Sequence, residues 1–272
     1  MSEYKQQVIN FFDRRSAYDL EGDSHPYEAN KLLEFASDIK DGQTVLDLAT
    51  GTGLVAIAVA EQIAPTGSVI GVDMSSGMLS QARSKVSALG IENLELIEAD
   101  IESINFHSSQ FDVVFCCSAI MYACDIPSLL NKCYGWLKSG GNLAFSTSAK
   151  TAYWADIQVK VCRDLFGIDF PHILRPLWTP EKCQKLLKQS GFENIEIECD
   201  RQGKYLVLDN YPVSISYEEG HLMPKANPLV NLTTSQKEEL QSAYQQAIDD
   251  LVTEKGLWSD RSLLFVKAQK QG

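Results

Sequence analysis

VLDLATGTG, Val45 to Gly53, and VIGVDMS, Val69 to Ser75, decide the fold. Thr44 to Thr50 is a short apolar run and reads as a buried strand. Gly51-Thr52-Gly53 breaks it, and Leu54 to Ala64 has the composition of a helix. Pro65-Thr66-Gly67 ends that helix, and Ser68 to Asp73 is the next buried strand. A strand that turns through glycines into a helix lets backbone approach a ligand closely, because glycine lacks a Cβ and tolerates tight turns. Asp73 ends the second strand, 20 residues past Gly53. In nucleotide-binding α/β folds a carboxylate there accepts hydrogen bonds from a ribose diol.

Outward from this unit the alternation continues. Ser76 to Leu89 reads as a helix, Leu94 to Ala99 as a strand, Phe111 to Ser118 as a strand and Ile126 to Leu137 as a helix. Lys138 to Gly141 reads as a turn, and Asn142 to Ser148 as a fifth strand. Strands alternating with helices of a dozen residues predict a mostly parallel sheet with helices on both faces. The ligand crevice then lies at the carboxyl ends of the first strands. Before this core, Tyr27 to Ile39 has helical spacing. After it, Thr151 to Phe166 and Pro180 to Ser190 read as helices, the second capped by Thr179. Phe192 to Cys199 alternates as a strand, which Gly203 to Leu208 extends as a hairpin. Asp209 to Leu232 is irregular, Thr233 to Gln236 resembles a capping box for a helix to about Glu254, and Arg261 to Gln269 is a last strand.

The expected fold class is therefore α/β: a Rossmann-like three-layer α/β/α sandwich on a mostly parallel seven-stranded sheet with an antiparallel last strand. Residues 1–40 form a helical cap, 41–150 the cofactor-binding core, and 151–272 the rest of the sheet. An insertion over about 203–258 is long for a connection and is read as a lid on the acceptor side.

Composition narrows the partners. With 36 acidic against 24 basic residues the formal net charge is -12, which disfavours nucleic acid or an anionic membrane. Hydrophobic residues make up 44%, too many for a disordered chain. The seven cysteines show no CxxC pair and several sit in apolar runs, as reduced buried cysteines do, and the four scattered histidines suggest no metal site. MSEYKQQVINFFDRR lacks the apolar core of a signal peptide, so a cytoplasmic location is expected, with no membrane partner.

Two ligand classes share the glycine layout. Gly51, Gly53 and Ala56 loosely satisfy the dinucleotide pattern GxGxxG/A, which keeps an NAD(P)-dependent oxidoreductase open. Asp47 discriminates. A carboxylate buried in the first strand is costly. It repels a pyrophosphate and suits a cationic ligand, or else it is a structural acid bonded to the glycine-turn amides.

With these motifs the chain resembles the class I S-adenosylmethionine-dependent methyltransferase superfamily, within it the ubiquinone/menaquinone-methyltransferase-like small-molecule group. The likeness covers roughly residues 10 to 150, with a family-like ending at Trp258 to Ala268. Asp47 to Gly53 stands for the family's D/ExGxGxG, with Ala49 in place of the first glycine. The resemblance implies S-adenosylmethionine as cofactor. It implies Asp47, Ala49, Thr50, Gly51 and Gly53 around the amino-acid tail, Asp73 on the ribose, and Met74 against the adenine. Asp100 in EADIES would reach the adenine amino group and Ile101 lie on the ring. The strand FDVVFCCSAIMY would border the reacting methyl, with Cys117 or Ser118 touching the cofactor, and LKSGG is a fifth family-like motif, a turn before the fifth strand. AYDLEGDSHPYE resembles the segment that caps the cofactor, with Tyr18 closing over the methionine end and His25 either in the pocket or a helix-start residue.

A small-molecule acceptor would be methylated on O, N or C by in-line displacement, with the enzyme supplying position and excluding water. His221, His172 and Tyr18 are the candidates for handling an acceptor proton. Tyr122, Tyr153, Trp154, Trp178, Tyr205 and Tyr211 could line a flat apolar site for an aromatic acceptor. A non-catalytic cofactor-binding relative is the remaining reading.

Overall fold

The computed structural model describes residues 2–21, 24–36, 39–206, 214–215 and 226–272. In chain order the elements are α1 (Glu3–Asp13), α2 (Ser24–Ala36), β1 (Thr44–Leu48), α3 (Leu54–Ile63), β2 (Ser68–Asp73) and α4 (Ser76–Leu89). They continue with β3 (Leu94–Glu98), β4 (Phe111–Cys116), α5 (Ile126–Trp136), β5 (Leu137–Ser148), α6 (Ala155–Phe166), α7 (Pro180–Gln189) and β6 (Phe192–Asp200). The last are β7 (Gly203–Leu206), α8 (Thr234–Asp249), β8 (Leu257–Asp260) and β9 (Leu263–Lys270).

Seven strands form one sheet in the order β3-β2-β1-β4-β5-β9-β6, and β9 alone runs antiparallel, to β5 on one side and β6 on the other. The expected Rossmann-like sandwich is present. Period-two burial fills both faces. Leu46, Leu48, Val72, Val114, Cys116 and Phe145 pack with α5 and α7. Val45, Val69, Val113, Phe115 and Ala144 face α2 and α3. The strand order reverses between β1 and β4, so their carboxyl ends splay around a crevice, the usual ligand position in such sheets.

Local chemistry sets the helix ends. Ser75 Oγ accepts from Met78 N at 3.1 Å to open α4, and left-handed Gly90 closes it. Asp125 caps α5, Thr179 caps α7, and Thr233 with Gln236 forms the expected capping box on α8.

Four expectations are corrected. LKSGG is not a free turn. Leu137 already pairs with Phe111, and the register slips before Val113 pairs with Asn142, a bulge that left-handed Gly140 accommodates. The helix expected from Thr151 starts at Ala155, because Tyr153 and Trp154 adopt φ of 55° and 54° in a 3-10 turn. Gly203–Leu206 does not extend β6 as a hairpin; it pairs with β8 in a separate two-stranded sheet, where the Trp258 ring would lie 2.4 Å from any Cβ on Gly203. The helix expected to reach Glu254 ends at Asp249. Within the insertion, α8 packs on α6 around Leu240, Tyr244 and Ile248, in a third apolar cluster that also holds Met121.

No described helix is long and apolar enough to cross a membrane.

Candidate active site

The crevice above β1 and β4 has two joined halves. One, about 730 Å³ including its open mouth, is largely apolar, walled by Val8, Ile9, Phe12, Met74, Met78 and Ile101. The other, about 410 Å³, is polar and lined by His25, Glu28, Asp47, Thr50 and Thr52. Tyr18, Ala49, Gly51, Cys117 and Ser118 line both and form the waist between them.

Strained backbone collects at this waist. Ala49, Gly51 and Ser118, three of its five residues, have positive φ of 53°, 56° and 53°. Such conformations persist where surrounding structure enforces them, often at sites of function. The absent first glycine of the motif thus has a physical consequence: Ala49 occupies a left-handed position that disfavours a Cβ by about 1–2 kcal/mol. Ala49→Gly relieves that strain but loosens the unfolded chain, which offsets roughly 0.5–1 kcal/mol. We expect a net gain near 0.5 kcal/mol in urea unfolding and cofactor affinity within twofold of the parent. A marked loss of stability would contradict the left-handed assignment.

Two buried carboxylates frame the glycine turn. Asp73 accepts from Gly51 N and Ser75 N, both at 2.8 Å. Burial pushes its carboxyl up, and the amides of Ser75, Gly51 and Met74 pull it partly back. Asp47 is 2% exposed and accepts from Thr50 Oγ1 at 2.6 Å, while its Oδ1 has no hydrogen-bond partner. Burial raises its pKa to about 7, against the pull of the Thr50 hydroxyl and the Ala56 amide.

The chain's first helix closes the apolar half. Lys5, Val8, Ile9 and Phe12 share one face of α1 and all line the crevice. Lys5 Nζ binds Asp100 and, at 2.9 Å, Glu102. Asp13 accepts from Ser75 Oγ at 2.5 Å and Gly77 N at 3.0 Å, an approach that a Cβ on Gly77 would obstruct. Asp19 bridges Thr52 and Lys85 at 2.5 Å each. Tyr18 stacks on His25 with centroids 4.0 Å apart and lies under Arg15, whose guanidinium carbon is 4.4 Å from the ring centre. Arg15 Nη2 donates to His25 Nε2 at 3.2 Å. Burial, then Arg15, pushes the His25 pKa down, which favours the neutral ring.

Of the cofactor residues expected from the sequence, Tyr18, Asp47, Ala49, Thr50, Gly51, Asp73, Met74, Asp100, Ile101, Cys117 and Ser118 meet along this crevice. Gly53 does not line it; it opens α3 at φ 82°, its Cα side close against Ile57 and Ala82. His172 lies elsewhere, in a surface groove beside Asp169 and Arg175, with Nδ1 accepting from Leu174 N at 3.3 Å. His221 and Tyr211 fall outside the described residues. Of the other aromatics singled out, Tyr122 reaches the crevice, Trp178 is buried in the third cluster, and Tyr153 and Tyr205 are exposed. Trp154 packs against that cluster and donates through Nε1 to Trp258 O. Among the described residues the cysteines are free thiols, and no cluster of three His, Cys, Asp or Glu is placed to hold a metal ion.

Lys5 and Glu28 were not singled out from sequence, though both left a signal. Lys5, Val8, Ile9 and Phe12 are spaced as one helical face. Glu28 stands in register with Leu32 and Ala36, an acid on the buried stripe of α2.

The crevice fits a cationic nucleoside. Its apolar half has Asp73 and Asp100 at hand for ribose and base. Its polar half holds a buried carboxylate oxygen without a donor and, among the described residues, no lysine or arginine. A pyrophosphate would face that acid uncompensated.

Comparison with known proteins agrees. The methyltransferase-domain family matches residues 39–166. Aklanonic acid methyltransferase DauC of Streptomyces sp. (strain C5) is 31% identical over 54% of this chain and 67% of its own length. Demethylmenaquinone methyltransferase of Listeria monocytogenes is 36% identical over 43% of this chain, which spans about half of that enzyme, 48%. A candidate methyltransferase of Bacillus halodurans C-125 has the same fold at TM-score 0.60 and 23% identity, covering 90% of this chain and 100% of that one. Phosphoethanolamine N-methyltransferase 2 of Haemonchus contortus, solved with S-adenosyl-L-methionine, superposes at TM-score 0.56 and 19% identity over 90% of this chain and 53% of its own. A crevice built for a cationic nucleoside, on this sheet order and with these relatives, has one family to belong to: the chain is a member of the class I methyltransferases that use S-adenosylmethionine.

Proposed function

We propose that this protein transfers the methyl group of S-adenosylmethionine to a small, flat, largely apolar acceptor. The carrying observation is the polar half of the crevice, where a buried acid stands with a bare oxygen beside a waist of strained backbone. When bound, the cofactor supplies a methyl group already made electrophilic by its sulfonium. The chain's own residues have three tasks.

The first is binding. Asp47 and the Thr50 hydroxyl offer acceptors to the ammonium tail. Asp73, already oriented by the Gly51 and Ser75 amides, keeps lone pairs free for ribose hydroxyls. Met74, Met78 and Ile101 give the adenine apolar walls. Asp100 would reach its amino group, in competition with Lys5. The second is exclusion of water, served by α1 and by Tyr18, against which Arg15 and His25 both pack. A dry site strengthens every charge contact within it. The third is positioning, which can lower a barrier by roughly 7–11 kcal/mol when the reacting atoms are held in line.

Three rings support a flat acceptor. Phe12 meets Tyr122 edge-on at 5.6 Å and Tyr18 at 6.3 Å, on the crevice side of α1. Met121 and Tyr122 connect this wall to the cluster built by α6 and α8, which is how the 203–258 insertion would act as an acceptor-side lid. DauC and the demethylmenaquinone enzymes are named for small organic acceptors, and the net charge of -12 keeps nucleic acid away. The oxidoreductase alternative finds no support in these relatives or in the uncompensated acid of the crevice.

Incubation with methyl-labelled cofactor and a panel of phenols, quinols and polycyclic ketones tests the acceptor class. Label is expected in an organic extract. Label confined to protein or RNA in a lysate would contradict the proposal.

A further inference from the structure

The polar half of the crevice holds a second acid. Glu28 enters from α2, is 5% exposed, and its Oε1 has no hydrogen-bond partner. The Ser146 and Ser118 hydroxyls flank the carboxyl and partly offset the cost of its burial. A buried polar atom without a partner in a protein this well packed calls for an explanation. The two rings nearby leave that oxygen bare: His25 turns its Nε2 to Arg15, and Tyr18 is stacked against His25.

Placement within the crevice points to the missing partner. Asp47 lies toward Thr50 and the start of α3. Glu28 lies beside Ser118, one of the five residues of the waist. A ligand with its nucleoside in the apolar half and its amino-acid tail in the polar half threads the waist with the atom that joins them. In S-adenosylmethionine that atom is the positively charged sulfur, three carbons from the ammonium. The ligand carries two cations, and the polar half offers two acids, one bonded to Thr50 in the glycine turn and one beside Ser118 of the waist.

We propose that Glu28 is the counter-charge of the sulfonium, with Asp47 serving the ammonium, so that the pocket separates the charged cofactor from its uncharged product. The proposal rests on the cofactor assignment above. Transfer breaks the S–CH₃ bond and leaves its electron pair on sulfur, so the charge that faces Glu28 vanishes with turnover. The hold on the ligand then weakens at the moment release is needed.

Calorimetric titration of wild type and Glu28→Gln with three ligands tests it without any acceptor. The ligands are S-adenosylmethionine, S-adenosylhomocysteine, and sinefungin, which bears an amine where the cofactor bears methylated sulfur. Glu28→Gln is expected to weaken S-adenosylmethionine and sinefungin by about tenfold, the scale of one charged contact, and S-adenosylhomocysteine by less than twofold. An equal loss for all three would assign Glu28 to the tail and overturn the proposal. No change for any would assign it to the acceptor and overturn it as well. Should the glutamine variant not fold, Glu28→Asp withdraws the charge by one methylene, and the same selective loss, smaller in size, is expected; an equal loss or none overturns the proposal. Failure of the wild type to bind any of the three would instead remove the cofactor assignment itself.

Discussion

Asp73→Ala is expected to weaken S-adenosylhomocysteine by ~3 kcal/mol, about a hundredfold. Two losses combine. The carboxylate is the proposed partner of the ribose hydroxyls, and hydrogen bonds to a charged group contribute about 1.5–3 kcal/mol together with their desolvation. It also holds Gly51 N and Ser75 N at 2.8 Å, so alanine leaves two amides of the glycine turn without acceptors. The second loss disturbs the turn that shapes the waist, and Asp73→Asn separates the two. Asparagine keeps one acceptor oxygen and most of the shape, so about a tenfold loss is expected from it. Calorimetry reads both, and unchanged affinity in the alanine variant would contradict the role given to Asp73.

Asp47→Asn is expected to move stability and binding in opposite directions. Burial holds the folded-state pKa near 7, above the ordinary value of 3.8. Between those values the folded protein keeps a proton that the unfolded chain has released. The stability contributed by Asp47 therefore falls as pH rises through that window, and the full cost of a bare buried carboxylate is present above about pH 7. Asparagine has no such cost. At pH 8 the variant should be more stable by roughly 2–4 kcal/mol in urea unfolding, while at pH 4 the two proteins should be nearly equal. Its affinity for S-adenosylmethionine should fall by ~3 kcal/mol, because the ammonium loses its buried partner. Wild-type affinity should itself rise between pH 6 and 8 as the carboxylate ionises. A variant that is both less stable and fully able to bind would show Asp47 to be a structural acid. This exchange of stability for function is common at sites that bury charge.

The same two acids show how much was legible in the chain. VLDLATGTG and VIGVDMS announce strand, turn, helix and strand because buried parallel strands are continuous apolar runs and glycine marks where backbone must bend. Hence the core of the sheet and the crevice could be read in advance, with Asp47, Gly51 and Asp73, while the other eight of the eleven lining residues were implied by the family resemblance. LKSGG misled because two adjacent glycines look like a turn, whereas here they allow a bulge within a paired strand. Gly203 misled because a strand segment does not state its partner; the choice of β8 over β6 depends on Trp258, 55 residues away. Tyr153 and Trp154 have no sequence mark for positive φ, since bulky residues seldom adopt it. Lys5 and Glu28 belong to helices whose periodicity predicts a buried face, yet periodicity alone does not say what that face covers. Topology brings α1 and α2 over the carboxyl ends of β1 and β4, and that contact is nonlocal.

A crystal structure with S-adenosylhomocysteine would show whether the crevice holds a cationic nucleoside's product as assigned. Density is expected to run through the waist at Ala49 and Gly51, with the amino-acid tail against Asp47 and the adenine between Met74 and Ile101. A waist closed to the ligand, or NAD held there by its pyrophosphate, would contradict that assignment.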